Sequence, residues 1–150
     1  MTNPCTCREA NRADLPAVLA LYAQPELDGD RVLGAPEAER ILERMARYPD
    51  YRLYVAEAGG LVVGAFTLAI LDNLCHRGQP AGVVEDVAVD PALHRSGIGK
   101  AMMEHALGLC RGKGCYKLSL SSNLERAKAH AFYDSLGFER HGYSFRTEIA

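Results

Sequence analysis

The chain has 150 residues, 48% of them hydrophobic, and a formal net charge of -2 at pH 7. That is the size of one domain with a substantial core, and the near-neutral balance excludes the electrostatic footprint of a nucleic-acid or anionic-membrane binder. No apolar run approaches the ~20 residues of a membrane span, and the opening MTNPCTCREA lacks the basic and apolar regions of a signal peptide, so a single cytoplasmic domain over residues 1–150 is expected.

The first strand is expected over residues 5–10. Asn11 or Asp14 can cap a helix over residues 15–23, where Leu15, Val18, Leu19 and Tyr22 share a face. A loop rich in Asp, Gly and Pro, residues 25–36, leads to a second helix over residues 37–48. Strands over 52–58 and 61–70 flank Gly59-Gly60, a hairpin signal. After the turn-rich DNLCHRGQPAG comes a fourth strand, residues 83–89, then a third helix reaching residue 111 with Ile98, Met102, Ala106, Leu109 and Cys110 facing inward. A fifth strand over 116–121 and a helix over 125–136, closed by Gly137, follow. Residues 138–148 read as one or two strands turning at His141-Gly142.

The stretch VVEDVAVDPALHRSGIGKA carries the most chemistry. Val83, Val87 and Val89 alternate as in a strand, Pro91 stops it, and Gly97 and Gly99 fall where a helix begins. The first helical amides have no partners within the helix and glycine has no side chain to block them, so a pyrophosphate can sit there. Met102 stands where a dinucleotide fingerprint needs its third glycine. His94 stands five before Gly99, where a nucleotide P-loop needs glycine, and Lys100 is followed by Ala101 rather than Ser or Thr. Taken alone, the Gly-x-Gly could simply turn the chain into its helix.

The five cysteines, Cys5, Cys7, Cys75, Cys110 and Cys115, include no Cys-x-x-Cys pair, and no metal site is expected. Cys110 and Cys115 lie in apolar surroundings and read as core. Cys5 and Cys7 share one face of the first strand, with a structural role.

The run EDVAVDPALHRSGIGKAMMEHAL, followed by AHAFYDSLGFERHGY, resembles the GNAT acetyltransferase superfamily, whose members move an acetyl group from acetyl-CoA to an amine. The resemblance covers most of the chain. It implies an α/β fold with a mixed, mostly antiparallel sheet of six to seven strands, flanked by about four helices and splayed between strands four and five to admit the pantetheine arm. Acetyl-CoA is the implied co-substrate, with no metal. In the family the loop reads Arg or Gln, two residues, Gly, one residue, then Gly or Ala. Gly97 and Gly99 match, while His94 takes the Arg/Gln position and Arg95 beside it offers an alternative phosphate contact. The implied cofactor contacts are His94, Arg95, Ser96, Gly97, Ile98, Gly99 and Lys100, with backbone N–H groups from Val87, Ala88 and Val89 meeting the thioester oxygen. Many relatives carry a CoA-contacting asparagine seven residues before the family tyrosine; here that position is Arg126, and Asn123 lies ten before Tyr133. Either Asn123 takes that role or Arg126 and Lys128 meet the phosphates.

A protonated alkylamine, pKa near ~10.4, is not nucleophilic, so the reaction needs a base or a site that favours the neutral amine, and the departing thiolate benefits from a proton donor. Glu85 is the first choice for the base: period-two alternation sets it on the face of Val83, Val87 and Val89, where desolvation makes a carboxylate more basic. The family often has a glutamate at this place. Asp86, on the opposite face, is the alternative base or acceptor ligand. Tyr133 resembles the family tyrosine that protonates the leaving sulfur, whereas helical periodicity alone makes it a packing residue beside Phe132 and Leu136. His130 is read as a surface or packing residue.

The expected acceptor is a small-molecule primary amine, attacking directly in a ternary complex. Glu26, Asp28 and Asp30 suit a cationic acceptor, His76 and Arg77 an acidic or phosphorylated one. The alternatives are a protein N-terminus or lysine as acceptor, and a catalytically silent acetyl-CoA-binding module, against which Glu85 and Tyr133 speak. No nucleic-acid or membrane partner is expected. Tyr143, Phe145 and Thr147 alternate after Gly142 as in an exposed strand edge, and many relatives dimerise, so a homodimer is expected.

Overall fold

A computed structural model describes residues 4–149 of the chain. Packing divides it into two compact units, one ending at Ser119 and the other beginning at Leu120. The elements in order are β1 (Thr6–Glu9), α1 (Leu15–Tyr22), α2 (Ala35–Met45), β2 (Tyr51–Ala58), β3 (Leu61–Leu71), β4 (Ala81–Val89), α3 (Ile98–Gly112), β5 (Lys117–Leu120) and α4 (Ala127–Ser135). Short 3-10 turns precede α1, α2, β4 and α3.

The first unit is built on a sheet of order β1-β2-β3-β4-β5, with β1 to β4 each antiparallel to the next. Gly59 and Gly60 both have positive φ, 57° and 79°, so a two-residue turn of the mirror-image type joins β2 to β3 and matches their twist. β5 joins β4 at the start of both, where the Tyr116 N–H donates to the Pro80 carbonyl at 2.9 Å.

Each face of the sheet is covered by helix. Leu15, Val18 and Leu21 of α1 and Ala38 of α2 pack on Leu53, Val55, Ala65 and Ala88. On the other face α3 lies unusually close, because a Cβ at Gly64 would stand 2.8 Å from Met102 Sδ, and one at Gly82 would collide with Cys110 Sγ. Ala101 and Met103 are buried along with the expected inward residues Ile98, Met102, Ala106 and Cys110, while Leu109 is only half-buried. The apolar stripe of α3 is therefore wider than a 3.6-residue period over five positions suggests. Burial pushes the Cys7 and Cys110 thiols up to about 12, with a cysteine neighbour adding to each, so both stay protonated and serve as small apolar groups.

α2 ends at Met45, three residues earlier than expected: the Arg47 and Tyr48 amides bond back three residues to Arg44 and Met45, and Pro49 follows. The larger correction concerns the sheet. Five strands form among the described residues, not six to seven, and residues 138–149 contain none. Tyr143 and Phe145 are 88% and 92% exposed. Alternating aromatic residues suit a strand only where a neighbouring backbone accepts their hydrogen bonds, and none pairs with them within the described residues. In the second unit α4 ends through bonds from the Gly137 and Phe138 amides to the Asp134 and Tyr133 carbonyls, and Arg140 pairs with Asp134 at 2.7 Å.

One ion-pair cluster ties β1, β2 and the start of α1 together. Arg8 reaches both oxygens of buried Asp14, at 2.7 and 2.9 Å, and Glu57 at 3.0 Å; Asp14 also accepts the Asn11 amide at 2.8 Å, closing a capping box. Arg8 foremost, against the opposing effect of burial, holds the Asp14 carboxyl below its usual range. A carboxylate with a depressed folded-state pKa contributes stability above its unfolded value, about 3.9, and loses it as pH falls through the folded one. Asp14→Asn should therefore lower the urea midpoint at pH 7, and its deficit against the wild type should shrink in parallel titrations taken below about pH 4.

Candidate active site

β4 is not a regular strand where the proposed base lies. Its register with β3 runs Ala65 to Ala88 and then Thr67 to Glu85, so Asp86 and Val87 together oppose the single Phe66. This is a β-bulge, and Asp86 takes the left-handed conformation within it at φ 52°. Aspartate tolerates that region better than most residues.

The bulge corrects the expected alternation. Opposed residues of an antiparallel pair share a face, so Glu85 lies with Thr67, Leu53 and Val83 on the side covered by α1 and α2. The extra residue reverses parity, and Val89, opposite Gly64, lies on the face covered by α3. Glu85 therefore does not share a face with Val89, and it is exposed rather than desolvated. Asp86 is exposed as well, with its carboxyl raised above its usual range by burial first and by repulsion from Asp28 second.

Three side chains hold the carbonyls around the bulge. Thr67 Oγ1 donates to the Glu85 carbonyl at 3.1 Å, Tyr22 Oη to that of Asp86 at 3.1 Å, and Gln24 Nε2 to that of Val89 at 3.0 Å. The Asp90 N–H donates to the Val63 carbonyl at 2.9 Å, so the strand's alternation turns the polar groups of Val89 away from β3. Tyr22, Gln24 and Thr67 carry no recognisable motif, because two of the contacts span 64 and 65 residues.

Past Val89, a 3-10 turn (Pro91–Leu93) leads into His94, Arg95 and Ser96, all exposed, and then to α3. Arg95 and Gly97 have φ values of 67° and 87°, and Gly97 sits at the N-cap without a capping side chain. The Ala101 amide is the first to close back within α3, onto the Gly97 carbonyl at 3.0 Å. The earlier amides of the 15-residue helix have no such partner, and Arg95 and Lys100 beside them are exposed cations. Donor set, charge and the positive helix end fit a pyrophosphate. Ile98 is buried and anchors the turn.

Asn123, Arg126 and Tyr133 belong to the second unit. Asn123 Oδ1 accepts the Glu125 amide at 2.9 Å and its carbonyl accepts the Arg126 amide at 3.0 Å, so Asn123 shapes the turn before α4. Its carbonyl also lies 2.7 Å from His130 Nε2. Arg126 is exposed. Tyr133 packs against Phe132 and Phe138, ring centres 5.0 and 5.7 Å apart, and burial raises its pKa while Arg126 opposes the rise. The phenol thus keeps its proton at neutral pH. Ser122 Oγ, in the same connection, is buried with no hydrogen-bond partner among the described residues.

Residues 15–138 match the model of the acetyltransferase (GNAT) family, and the chain belongs to it. It is 34% identical over 98 residues to the glucosamine 6-phosphate N-acetyltransferase of Trypanosoma brucei brucei, a match covering 65% of each chain. It is 32% identical over 92 residues to the [ribosomal protein bS18]-alanine N-acetyltransferase of Escherichia coli K12, covering 61% of this chain and 55% of that one. The matched stretch is thus less than two thirds of either relative's length. Among solved structures, an acetyltransferase of Trypanosoma brucei superposes with a TM-score of 0.83 at 30% identity, over 97% of this chain and 99% of that one. Members of this family use acetyl-CoA as co-substrate.

Gly97 offers a direct test of the loop. A Cβ there would meet only Pro4, at 3.4 Å, so the fold has room, but φ 87° is strained for any L side chain by roughly 1–2 kcal/mol. Acetyl-CoA should raise the melting temperature of the wild type well beyond any effect of NAD or ATP. Gly97→Val should remove most of that rise, and a folded variant with the full rise would show that the phosphates bind elsewhere.

Proposed function

We propose that the protein is an N-acetyltransferase that moves the acetyl group of acetyl-CoA to a primary amine of a small molecule by direct attack in a ternary complex. The observation that carries this reading is the β4 bulge, followed in the same chain segment by the uncapped, glycine-turned start of α3. In this reading His94, Arg95, Ser96, Gly97, Ile98, Gly99 and Lys100 bind the pyrophosphate, chiefly through backbone N–H groups. The N–H groups of Val87 and Val89 meet the thioester oxygen as negative charge develops on it, while that of Ala88, opposite Ala65, faces β3 by the same alternation as Asp90. In the same reading, as the family resemblance implies, the pantetheine arm enters between β4 and β5, and Asn123 or Arg126 is a further partner for the cofactor.

Glu85 takes a proton from the amine, through water given its exposure, and the amine nitrogen bonds to the acetyl carbon. The carbon–sulfur bond then breaks, with the electron pair leaving on sulfur, and Tyr133 supplies that sulfur with a proton. Asp86 is the alternative base. Asp28, whose charge adds to the rise of the Asp86 carboxyl, favours together with Asp86 a cationic acceptor over an acidic one. His76, by contrast, is stacked on Tyr116 at 3.9 Å. Relatives named as glucosamine 6-phosphate N-acetyltransferases support a small amine. The ribosomal-protein enzyme supports the second reading, a protein N-terminus.

A panel of small amines and N-terminal peptides, followed by CoA-thiol release, separates these readings; a protein that binds acetyl-CoA but acetylates none of them would be a binding module. With an accepted amine, Tyr133→Phe should lower kcat by roughly 10²-fold with acetyl-CoA affinity nearly unchanged. Glu85→Gln should cost most at low pH and recover as the amine deprotonates unaided. Wild-type turnover in Tyr133→Phe would return that ring to a packing role, and a larger loss in Asp86→Asn than in Glu85→Gln would move the base to Asp86.

A cytoplasmic location and a homodimer belong to the same proposal. Tyr143, Phe145 and Ile149, 88%, 92% and 92% exposed, are the residues a second copy would cover. Sedimentation at micromolar concentration should give a dimer, and a monomer throughout would remove the assembly from the reading.

A further inference from the structure

We propose that Tyr22, the last residue of α1, and Gln24, in the turn just past it, are positioning residues that hold the β4 bulge in the shape that receives the thioester carbonyl. This rests on the acetyltransferase reading above and adds residues that neither the loop nor the proposed acid and base contain.

The geometry follows from the planarity of the peptide bond. All described peptide bonds are trans, so the carbonyl of one residue and the N–H of the next point in opposite directions within one plane. Tyr22 Oη bonds the Asp86 carbonyl at 3.1 Å and thereby turns the Val87 N–H away from α1. Gln24 Nε2 bonds the Val89 carbonyl at 3.0 Å, while the Asp90 N–H of the same plane bonds Val63 at 2.9 Å. That plane is clamped at both ends. The Asp86–Val87 plane is gripped by Tyr22 at its carbonyl end.

Such a clamp matters because a bulge lacks the regular ladder that orients its neighbours, and Asp86 sits in a sparsely populated conformation. The clamping residues are themselves fixed. The Asp28 amide bonds the Tyr22 carbonyl at 3.0 Å, and the Leu27 and Gly29 amides bond that of Gln24 at 2.9 and 3.1 Å. Burial, with Asp86 adding to it, pushes the Tyr22 phenol well above its ordinary range, so the hydroxyl remains a donor. Donors preset before the charge develops need no reorganisation when it does.

Tyr22→Phe and Gln24→Met each delete one donor and keep most of the side chain's volume. The test measures kcat and KM for acetyl-CoA with an accepted amine, the affinities of acetyl-CoA and of CoA by calorimetry, and the melting temperature. Each variant should lower kcat by about tenfold, the worth of one hydrogen bond, without changing the shape of the pH profile. CoA affinity should stay at the wild-type value while acetyl-CoA loses affinity relative to it, because only the thioester has the carbonyl that the bulge receives. A purely structural role would move the melting temperature and leave the acetyl-CoA to CoA ratio alone, and that result overturns the proposal. Should Tyr22→Phe fail to fold, Gln24→Met, outside any helix, decides by the same ratio. Wild-type protein that binds neither CoA nor acetyl-CoA would sink the acetyltransferase reading itself, a failure visible before any variant is made.

Discussion

Two residues of β4 face one residue of β3, and the chemistry proposed for this chain depends on that mismatch. A regular ladder would aim the polar groups of Asp86 and Val87 in fixed alternation toward and away from β3 and keep every side chain in strict alternation. The bulge releases the pair, reverses the faces on either side, and sets Glu85 and Val89 on opposite sides of the sheet. It is sustained from outside the strand by Thr67, Tyr22 and Gln24, so local distortion of one strand is balanced by hydrogen bonds from β3, α1 and the turn that follows α1.

The packing of α3 is the second constraint, and it acts on the other face. Small residues in the sheet, Gly64 and Gly82, let Met102 and Cys110 approach more closely than any side chain would allow. Buried Ile98 fixes the first turn of the helix against this surface. The uncapped amides at Gly97 and beyond are thereby carried on a rigid element at a set distance along the chain from the bulge, eight residues after Val89. Rigid presentation of donors at both ends of a long substrate suits a ligand with a phosphate group at one end and a reacting carbonyl at the other.

The acidic residues around the bulge have different charged neighbours, and that difference bears on which does what. Both Glu85 and Asp86 are open to solvent at the surface, and the Asp86 carboxyl is raised above its usual range by burial first and by the charge of Asp28 second. An exposed carboxylate can pass protons to and from water, whereas a pair of carboxylates that repel each other gains by the approach of a cation. Of the two roles proposed, proton acceptor rests for Glu85 on its place in β4 before the glycine loop, and attraction of the ammonium form rests for Asp28 with Asp86 on their neighbouring charges.

Much of this protein is legible in its sequence. Alternating valines ending at Pro91, a Gly-x-Gly at a helix start and an apolar stripe in α3 depend on local sterics and periodicity, so the order of strands and helices through α4 and the loop residues follow from the residues themselves. The tertiary structure decided what needs a distant partner. The parity of Glu85 rests on a bulge that no glycine marks, and the clamp by Tyr22 and Gln24 joins residues more than sixty apart. Residues 138–149 show the same limit from the other side: their alternating aromatic pattern suits a strand, but a strand exists only where another backbone takes up its hydrogen bonds.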